Sequence, residues 1–385
     1  YCTSCEQFYP EEELLPNGNC PEHPMQKPQW VAEDNYYFRA SSFEPRIREL
    51  LEDESFLQPP ERRREMLQAI KDGLRDVSIS RTFTDWGFPL PFDESQVIYV
   101  WFDALLCYVT GAGFATDPQR YRKYWPADVH VIGKGITRFH TLMWPAMLLA
   151  AGEPLPKRVY SHGYITMGGE KMSKSRGLFF DPALLVDTFG SDGARFLLMR
   201  EFPFDRDADF NLEGLIDRFN SDLANNFGNL ASRTLTMVER YLQGRVPAPA
   251  AAPPAIAEKA AALGASLDAK IDGFRFDQAL AEIWELVDAT NQHIAASAPW
   301  QLAKDEGKAA ELEAVLYTSL EVLRLLSAAL APFIPGAAAE LAARLGLSET
   351  PSSLEWGGLQ AGGQTRGPGE PLFPRLDKEA VLARL

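Results

Sequence analysis

The chain is poor in the features that would place it outside the cell, in a bilayer or along a nucleic acid. It has only four cysteines in 385 residues, and three of them fall within the first twenty. Its most apolar stretch, Leu325 to Ala339, carries two prolines and falls short of the roughly 20 apolar residues that a membrane span needs. Basic residues are outnumbered, 38 against 53 acidic, for a formal charge of −15. That excess excludes indiscriminate coating of nucleic acid and leaves only local, shaped contacts. No basic-then-apolar leader opens the chain, so secretion is not expected and a cytoplasmic protein is. The first residue is Tyr1 rather than Met, which suggests a chain that begins part-way through a longer protein. The length predicts two or three domains.

The clustered cysteines have a metal-site spacing. Cys2 and Cys5 form a CxxC, fourteen residues follow, and Cys20 and His23 form a CxxH. Two such pairs supply the four soft or borderline ligands of tetrahedral zinc, with no open position, so the ion is expected to be structural. The alternative is a reduced thiol cluster or a disulfide, and a disulfide leaves Cys20 and His23 without a use. The fourth thiol, Cys107, lies in an apolar run and reads as a small buried residue.

Patterning divides the rest. Charged helical stretches at Glu44 to Glu54 and Pro60 to Asp72 suggest an accessory region. Short β-branched and aromatic runs then predict strands at Val97 to Trp101, Val129 to Ile132 and Arg158 to Ser161, with a helix over Phe139 to Ala151 between the last two. Strand, helix and strand in that order fit a right-handed crossover in a parallel sheet. From about Leu212 onward only helical periodicity remains. Phe276, Leu280, Ile283, Val287 and Ile294 form one apolar stripe; Leu312, Leu316, Leu320, Leu323, Leu326 and Leu330 form another. The fold class is therefore α/β plus all-α.

The richest chemistry lies in Lys171-Met172-Ser173-Lys174-Ser175, after Gly168-Gly169. Two lysines and two hydroxyls on a glycine-hinged loop beyond a parallel strand suit the stabilisation of charge growing on a triphosphate's leaving pyrophosphate. Ligands of such sheets bind at the strands' carboxyl ends.

These five residues match the KMSKS signature of class I aminoacyl-tRNA synthetases, and the whole chain resembles the methionyl-tRNA synthetases. The resemblance also rests on the cysteine knuckle, on Val100-Trp101-Phe102-Asp103-Ala104 continuing to Tyr108, on Ile132-Gly133-Lys134 with Phe139-His140 and Trp144, and on His162-Gly163-Tyr164. In the helical half it rests on Asn229-Leu230-Ala231-Ser232-Arg233 and Ala298-Pro299-Trp300. It implies a connective peptide with a single-zinc knuckle over residues 1–90 and the second half of a Rossmann-like catalytic domain over 91–165. A KMSKS and stem-contact region over 166–211 and a helical anticodon-binding bundle over 212–385 would follow. It further implies a methionine pocket of Trp101, Asp103, Ala104, Tyr108, Gly135, Phe139, His140 and Trp144. Catalysis is assigned to Lys171, Ser173, Lys174 and Ser175, and ATP contact to Lys171, Met172, Lys174 and Gly163. The anticodon readers are Asn229, Arg233 and Trp300, and the zinc ligands Cys2, Cys5, Cys20 and His23. The residue chemistry agrees: aromatic rings suit a thioether, and Asn, Arg and an exposed Trp suit splayed bases. Without the resemblance, Arg233 reads as a helix-surface charge and Trp300 as a core aromatic.

Two departures matter. Gly135 stands where the family usually carries an acidic partner for the substrate ammonium. None of His23, His130, His140, His162 and His293 has the two-histidine spacing of the family's first ATP-binding element. The activity implied is methionine–tRNA ligation, using ATP with Mg²⁺, methionine and tRNA-Met, in a monomer without membrane contact. These 385 residues alone are expected to be inactive. A non-catalytic tRNA-binding protein, or one subunit of a split synthetase, is the alternative. If one helix runs through Arg218, Arg233 and Arg240, their spacing places them on one face.

Overall fold

Local chemistry sets most elements of the computed structural model, which describes residues 1–4, 7–32, 34–82, 86–172 and 180–383. Two units, Tyr1–His162 and Gly163–Leu385, divide the chain. In the first, chain order runs β1 (Tyr37–Phe38), α1 (Glu44–Glu52), β2 (Leu57–Gln58), α2 (Pro60–Ala69), β3 (Val77–Ser78), β4 (Ser80–Arg81), β5 (Pro89–Leu90) and β6 (Asp93–Ile98). It continues through α3 (Val100–Ala104), α4 (Cys107–Ala112), α5 (Pro118–Tyr124), β7 (His130–Gly133), α6 (Trp144–Ala151) and β8 (Val159–His162). Helix α5 shows how residues dictate an end: the Asp117 carboxylate accepts from the Gln119 and Arg120 amides, Pro118 opens the first turn, and Arg122 and Lys123 face the C-terminal dipole.

The parallel crossover is present. β7 and β8 pair in parallel, His130 opposite Val159 and Gly133 opposite His162, and α6 lies between them in sequence. The sheet order is β2-β8-β7. Its third strand, β2, comes from the stretch expected to be accessory, and Leu57 is buried beside Ile47, Leu51, Ile132 and Val159.

Two expectations need correction here. The run Val97 to Trp101 is not one strand: β6 ends at Ile98, between antiparallel partners β4 and β5. The Phe102 and Asp103 amides then donate to the Tyr99 carbonyl and coil the chain into α3. Cys107 is exposed rather than buried, because α4 turns Val109 and Ala112 inward instead.

The second unit begins with β9 (Ile165–Met167) and β10 (Glu170–Lys171), then α7 (Pro182–Glu201), β11 (Ala208–Asp209), α8 (Leu212–Arg218), a π-helical stretch Phe219–Gly228 and α9 (Asn229–Leu242). There follow α10 (Pro254–Asp272), α11 (Phe276–Ser297), α12 (Pro299–Leu302), α13 (Ala309–Leu330), α14 (Pro335–Arg344) and α15 (Lys378–Leu382). Leu280, Ile283, Val287 and Ile294 of α11 are buried as their periodicity requires. Helix α13 goes further: every residue from Val315 to Ser327 is buried, so it is a central rod rather than a striped surface helix. Its polar residues are satisfied in place. Glu321 accepts from the Gly357, Gly358 and Leu359 amides at 2.8, 2.9 and 3.0 Å and pairs with Arg324 at 2.7 Å. No helix among the described residues is long and apolar enough to cross a membrane.

Candidate active site and anticodon face

In the first unit, α3, α4 and the turn entering α6 bring together a cluster of aromatic rings. Trp101 stacks on Phe139 with ring centroids 4.3 Å apart and planes 14° from parallel. His140 Nδ1 lies 2.9 Å from the Ile136 carbonyl, which can only accept, so the proton sits on Nδ1. Nε2 is then a lone pair, and the Tyr108 hydroxyl donates to it at 2.7 Å. Behind them, the Trp144 indole donates to His130 Nε2 at 3.3 Å, and Tyr108 lies over His130 with centroids 4.2 Å apart. Burial lowers the pKa of both imidazoles, His130 to about 4 with help from neighbouring His140. Both are neutral at pH 7. Asp103 and Ala104 are half-buried on α3, and Gly135 sits in the turn Lys134–Ile136 that follows β7. With its Nδ1 proton given to Ile136, neutral His140 has no spare donor, while the Tyr108 oxygen keeps its lone pairs.

The knuckle brings together three of its four expected donors; Cys5 lies outside the described residues. The Cys2 and Cys20 sulfurs are 3.7 and 3.8 Å from His23 Nδ1, and both cysteines are buried. For Zn–S near 2.3 Å and Zn–N near 2.0–2.1 Å, tetrahedral ligand atoms lie about 3.5–3.8 Å apart. The donor set fits zinc.

In the second unit, the backbone of Lys171 ends β10, opposite Thr166 of β9. Ser173, Lys174 and Ser175 lie outside the described residues. Gly168 and Gly169, expected as a hinge, are instead the two-residue turn of the β9–β10 hairpin, with φ of +61° and +77°. Two successive left-handed residues are what such a hairpin turn demands. Gly163 also has a packing reason: a Cβ there would lie 2.2 Å from the backbone carbonyl of Arg206.

On the helical side, Asn229 is exposed at the start of α9, Arg233 follows one turn later, and the Arg233 guanidinium lies 5.9 Å from the Trp300 ring centroid. Trp300 is 39% exposed, not core. Ala298, at φ +42°, turns the chain out of α11 and sets Pro299 at the first position of α12. Arg218 does not share this face. Ten residues of π-helix separate it from α9, and their wider i→i+5 turns take fewer degrees per residue. Arg218 is also held by Glu201 and Asp222.

A family model described as tRNA synthetases class I (M) matches residues 1–235, and one for the anticodon binding domain of methionyl tRNA ligase matches residues 247–374. The chain belongs to the class I tRNA synthetases (M). The methionine–tRNA ligase of Caldanaerobacter subterraneus subsp. tengcongensis is 45% identical over 100% of this chain and 61% of its own length. That of Thermotoga maritima is 40% identical over 98% and 61%. The chain thus spans about 60% of the length of these curated relatives. Among solved structures, Mycobacterium tuberculosis methionyl-tRNA synthetase bound by methionyl-adenylate aligns with a TM-score of 0.89 at 36% identity, covering 97% of this chain and 76% of that one. Its free state aligns at 0.86.

Within this synthetase chain, sequence reasoning missed His130 behind the pocket and Asp209 beside the hairpin. His130 had one signal, a polar residue at an inward position of a buried strand, since Ile132 two residues on is also buried. Asp209 had none, because its partners are some forty residues earlier in the chain.

Proposed function

We propose that this chain is the methionine-selecting, pyrophosphate-stabilising and anticodon-reading part of a methionine–tRNA ligase. The aromatic pocket carries the reading. Trp101 and Phe139 offer a stacked wall to a thioether, and the neutral Tyr108–His140–Ile136 chain fixes a polar atom, the Tyr108 oxygen. A neutral wall favours the uncharged methyl thioether over charged side chains of similar length. Asp103 on α3, or a backbone carbonyl, takes the substrate ammonium where Gly135 offers no carboxylate. In the reaction, the methionine carboxylate attacks the α-phosphorus of ATP, which arrives with Mg²⁺, and the bond to pyrophosphate breaks. Lys171 and Lys174, with Ser173 and Ser175, neutralise charge growing on that leaving group; Met172 and Gly163 border the nucleotide. A hydroxyl at the 3′ end of tRNA-Met then attacks the adenylate's carbonyl carbon, forming the methionyl ester and releasing AMP, while the anticodon meets Asn229, Arg233 and Trp300.

Zinc, held by Cys2, Cys5, Cys20 and His23, closes the knuckle and takes no part in the chemistry. Chelation that releases one zinc per chain and lowers the melting temperature supports this; a chain isolated without zinc and equally stable refutes it. The ligase role suits the cytoplasm, and a monomer is the default for this chain. The inactivity expected of these 385 residues alone rests on histidine spacing, and the comparisons do not support it.

Methionine-dependent ATP–pyrophosphate exchange tests the proposal. Exchange by the full protein that is lost in Trp101→Ala supports it. Tight tRNA-Met binding without any exchange favours the non-catalytic reading.

A further inference from the structure

The face that carries Asn229, Arg233 and Trp300 is built from two runs of chain: the π-helical stretch Phe219–Gly228 with α9, and α11 with α12. Three contacts join the runs, in the same order along both. At the first, Arg200 of α7 donates to the Asp277 carbonyl in the first turn of α11 at 3.2 Å, and its Nε lies 3.8 Å from Asp222 Oδ2. At the second, the side-chain amide of Asn226 donates to Asp288 Oδ1 and accepts from Asn291, both at 2.7 Å. The third sets the Arg233 guanidinium over the Trp300 ring.

Two features set the π-helical stretch apart. Turns of the i→i+5 kind are rare and gather at functional sites. Gly228 closes the last of them, since a Cβ there would lie 2.8 Å from the Leu223 carbonyl oxygen five residues back. Asp222, in the middle, is 7% exposed, yet its Oδ2 has no hydrogen-bond partner among the described residues. Arg200 and Arg218 approach it at 3.8 and 3.6 Å, as ion pairs rather than hydrogen bonds. A buried carboxylate held this loosely costs stability, so packing alone does not account for it. We propose that the π-helical stretch sets the register of the anticodon face, with Asp222 and Asn226 as positioning residues that phase α9 so that Asn229 and Arg233 meet the same anticodon as Trp300. Rotating α9 by part of a turn would move both readers at once, so the stretch governs discrimination between anticodons. Asp222 is too buried to touch RNA itself. The inference deepens the ligase reading and rests on its anticodon part.

The test is filter binding of the full protein to a tRNA-Met transcript and to the same transcript with one anticodon base changed, beside methionine-dependent pyrophosphate exchange and calorimetry. Asp222→Ala lowers the preference for the unchanged anticodon about tenfold or more, with exchange within about twofold of the wild type. Asp222→Asn recovers part of it, because its amide oxygen keeps the bond from the Ser221 hydroxyl. Asn226→Ala behaves like Asp222→Ala. Should Asp222→Ala not fold, Gly228→Ala reaches the same loss by displacing the last π turn. Glu321→Leu weakens the same helical unit through bonds that do not involve the stretch, so it lowers melting and keeps the preference. An unchanged preference in Asp222→Ala or Gly228→Ala, or a preference lost equally in Glu321→Leu, overturns the proposal. If the wild type itself does not distinguish the two transcripts, the anticodon reading fails and the proposal falls with it.

Discussion

Replacing Tyr108 by Phe probes the pocket's polar chain with one oxygen removed. Tyr108 donates at 2.7 Å to His140 Nε2, and His140 is 1% exposed with its other nitrogen committed to Ile136. The substitution therefore strands a buried acceptor, which costs about 1–3 kcal/mol. In a unit of roughly 150 residues, each kcal/mol moves the melting temperature about 2–4 °C, so a fall of about 2–12 °C is expected. Methionine KM rises, since the freed imidazole and ring relax into the pocket they border; a tenfold rise corresponds to about 1.4 kcal/mol. Calorimetry and pyrophosphate exchange read the two effects. A double-mutant cycle with His140→Gln isolates the pair, with a coupling of about 0.5–3 kcal/mol expected. Additive losses, or a Tyr108→Phe variant with unchanged melting and KM, refute the network.

Three further outcomes follow from other sites. Trp300→Ala weakens tRNA-Met binding by about 1–3 kcal/mol, the worth of one stacked base, and leaves melting nearly unchanged because the side chain is 39% exposed; equal loss of both in filter binding and calorimetry would make Trp300 core. Glu321→Leu strips a carboxylate from the Gly357, Gly358 and Leu359 amides and leaves Arg324 buried without its partner; urea unfolding should show a loss of about 3–5 kcal/mol, and a loss below 1 kcal/mol would contradict the burial. His130 is held neutral, with its pKa lowered from 6.5 to about 4, so the unfolded chain takes up the proton first. Stability from this group is complete above pH 6.5 and is lost as pH falls toward 4, by up to about 3 kcal/mol. His130→Asn should flatten that part of a stability-versus-pH curve, and an unchanged slope between pH 6.5 and 4 would refute the assignment.

Legibility tracked the range of the interactions. The crossover through β7, α6 and β8 was readable because strand and helix periodicities are local. The break after Ile98 was not, since Val97 to Trp101 is a uniform apolar run and only hydrogen bonds to the Tyr99 carbonyl end the strand. The Arg218 face failed for a similar reason: spacing assumes 100° per residue, and a π-helical stretch breaks that sum. Tyr108 and His140 were named by motif, yet the direction of their hydrogen bond depends on the Ile136 carbonyl, which no motif records.

By itself the sequence determined the family's chemistry: the paired CxxC and CxxH donors, the Lys-Ser loop, the aromatic set around Trp101 and the α/β-then-helical order. Each of these is written in residue types at short spacing, where covalent geometry limits what neighbours can do. Only the tertiary structure decided that Gly168-Gly169 is a turn rather than a hinge, that α13 is buried on all sides, and that Asp209 accepts from Thr166 and Gly169 some forty residues earlier in the chain. Those outcomes depend on which distant segments meet, and a carboxylate or a ring carries no mark of its partner until the chain has packed.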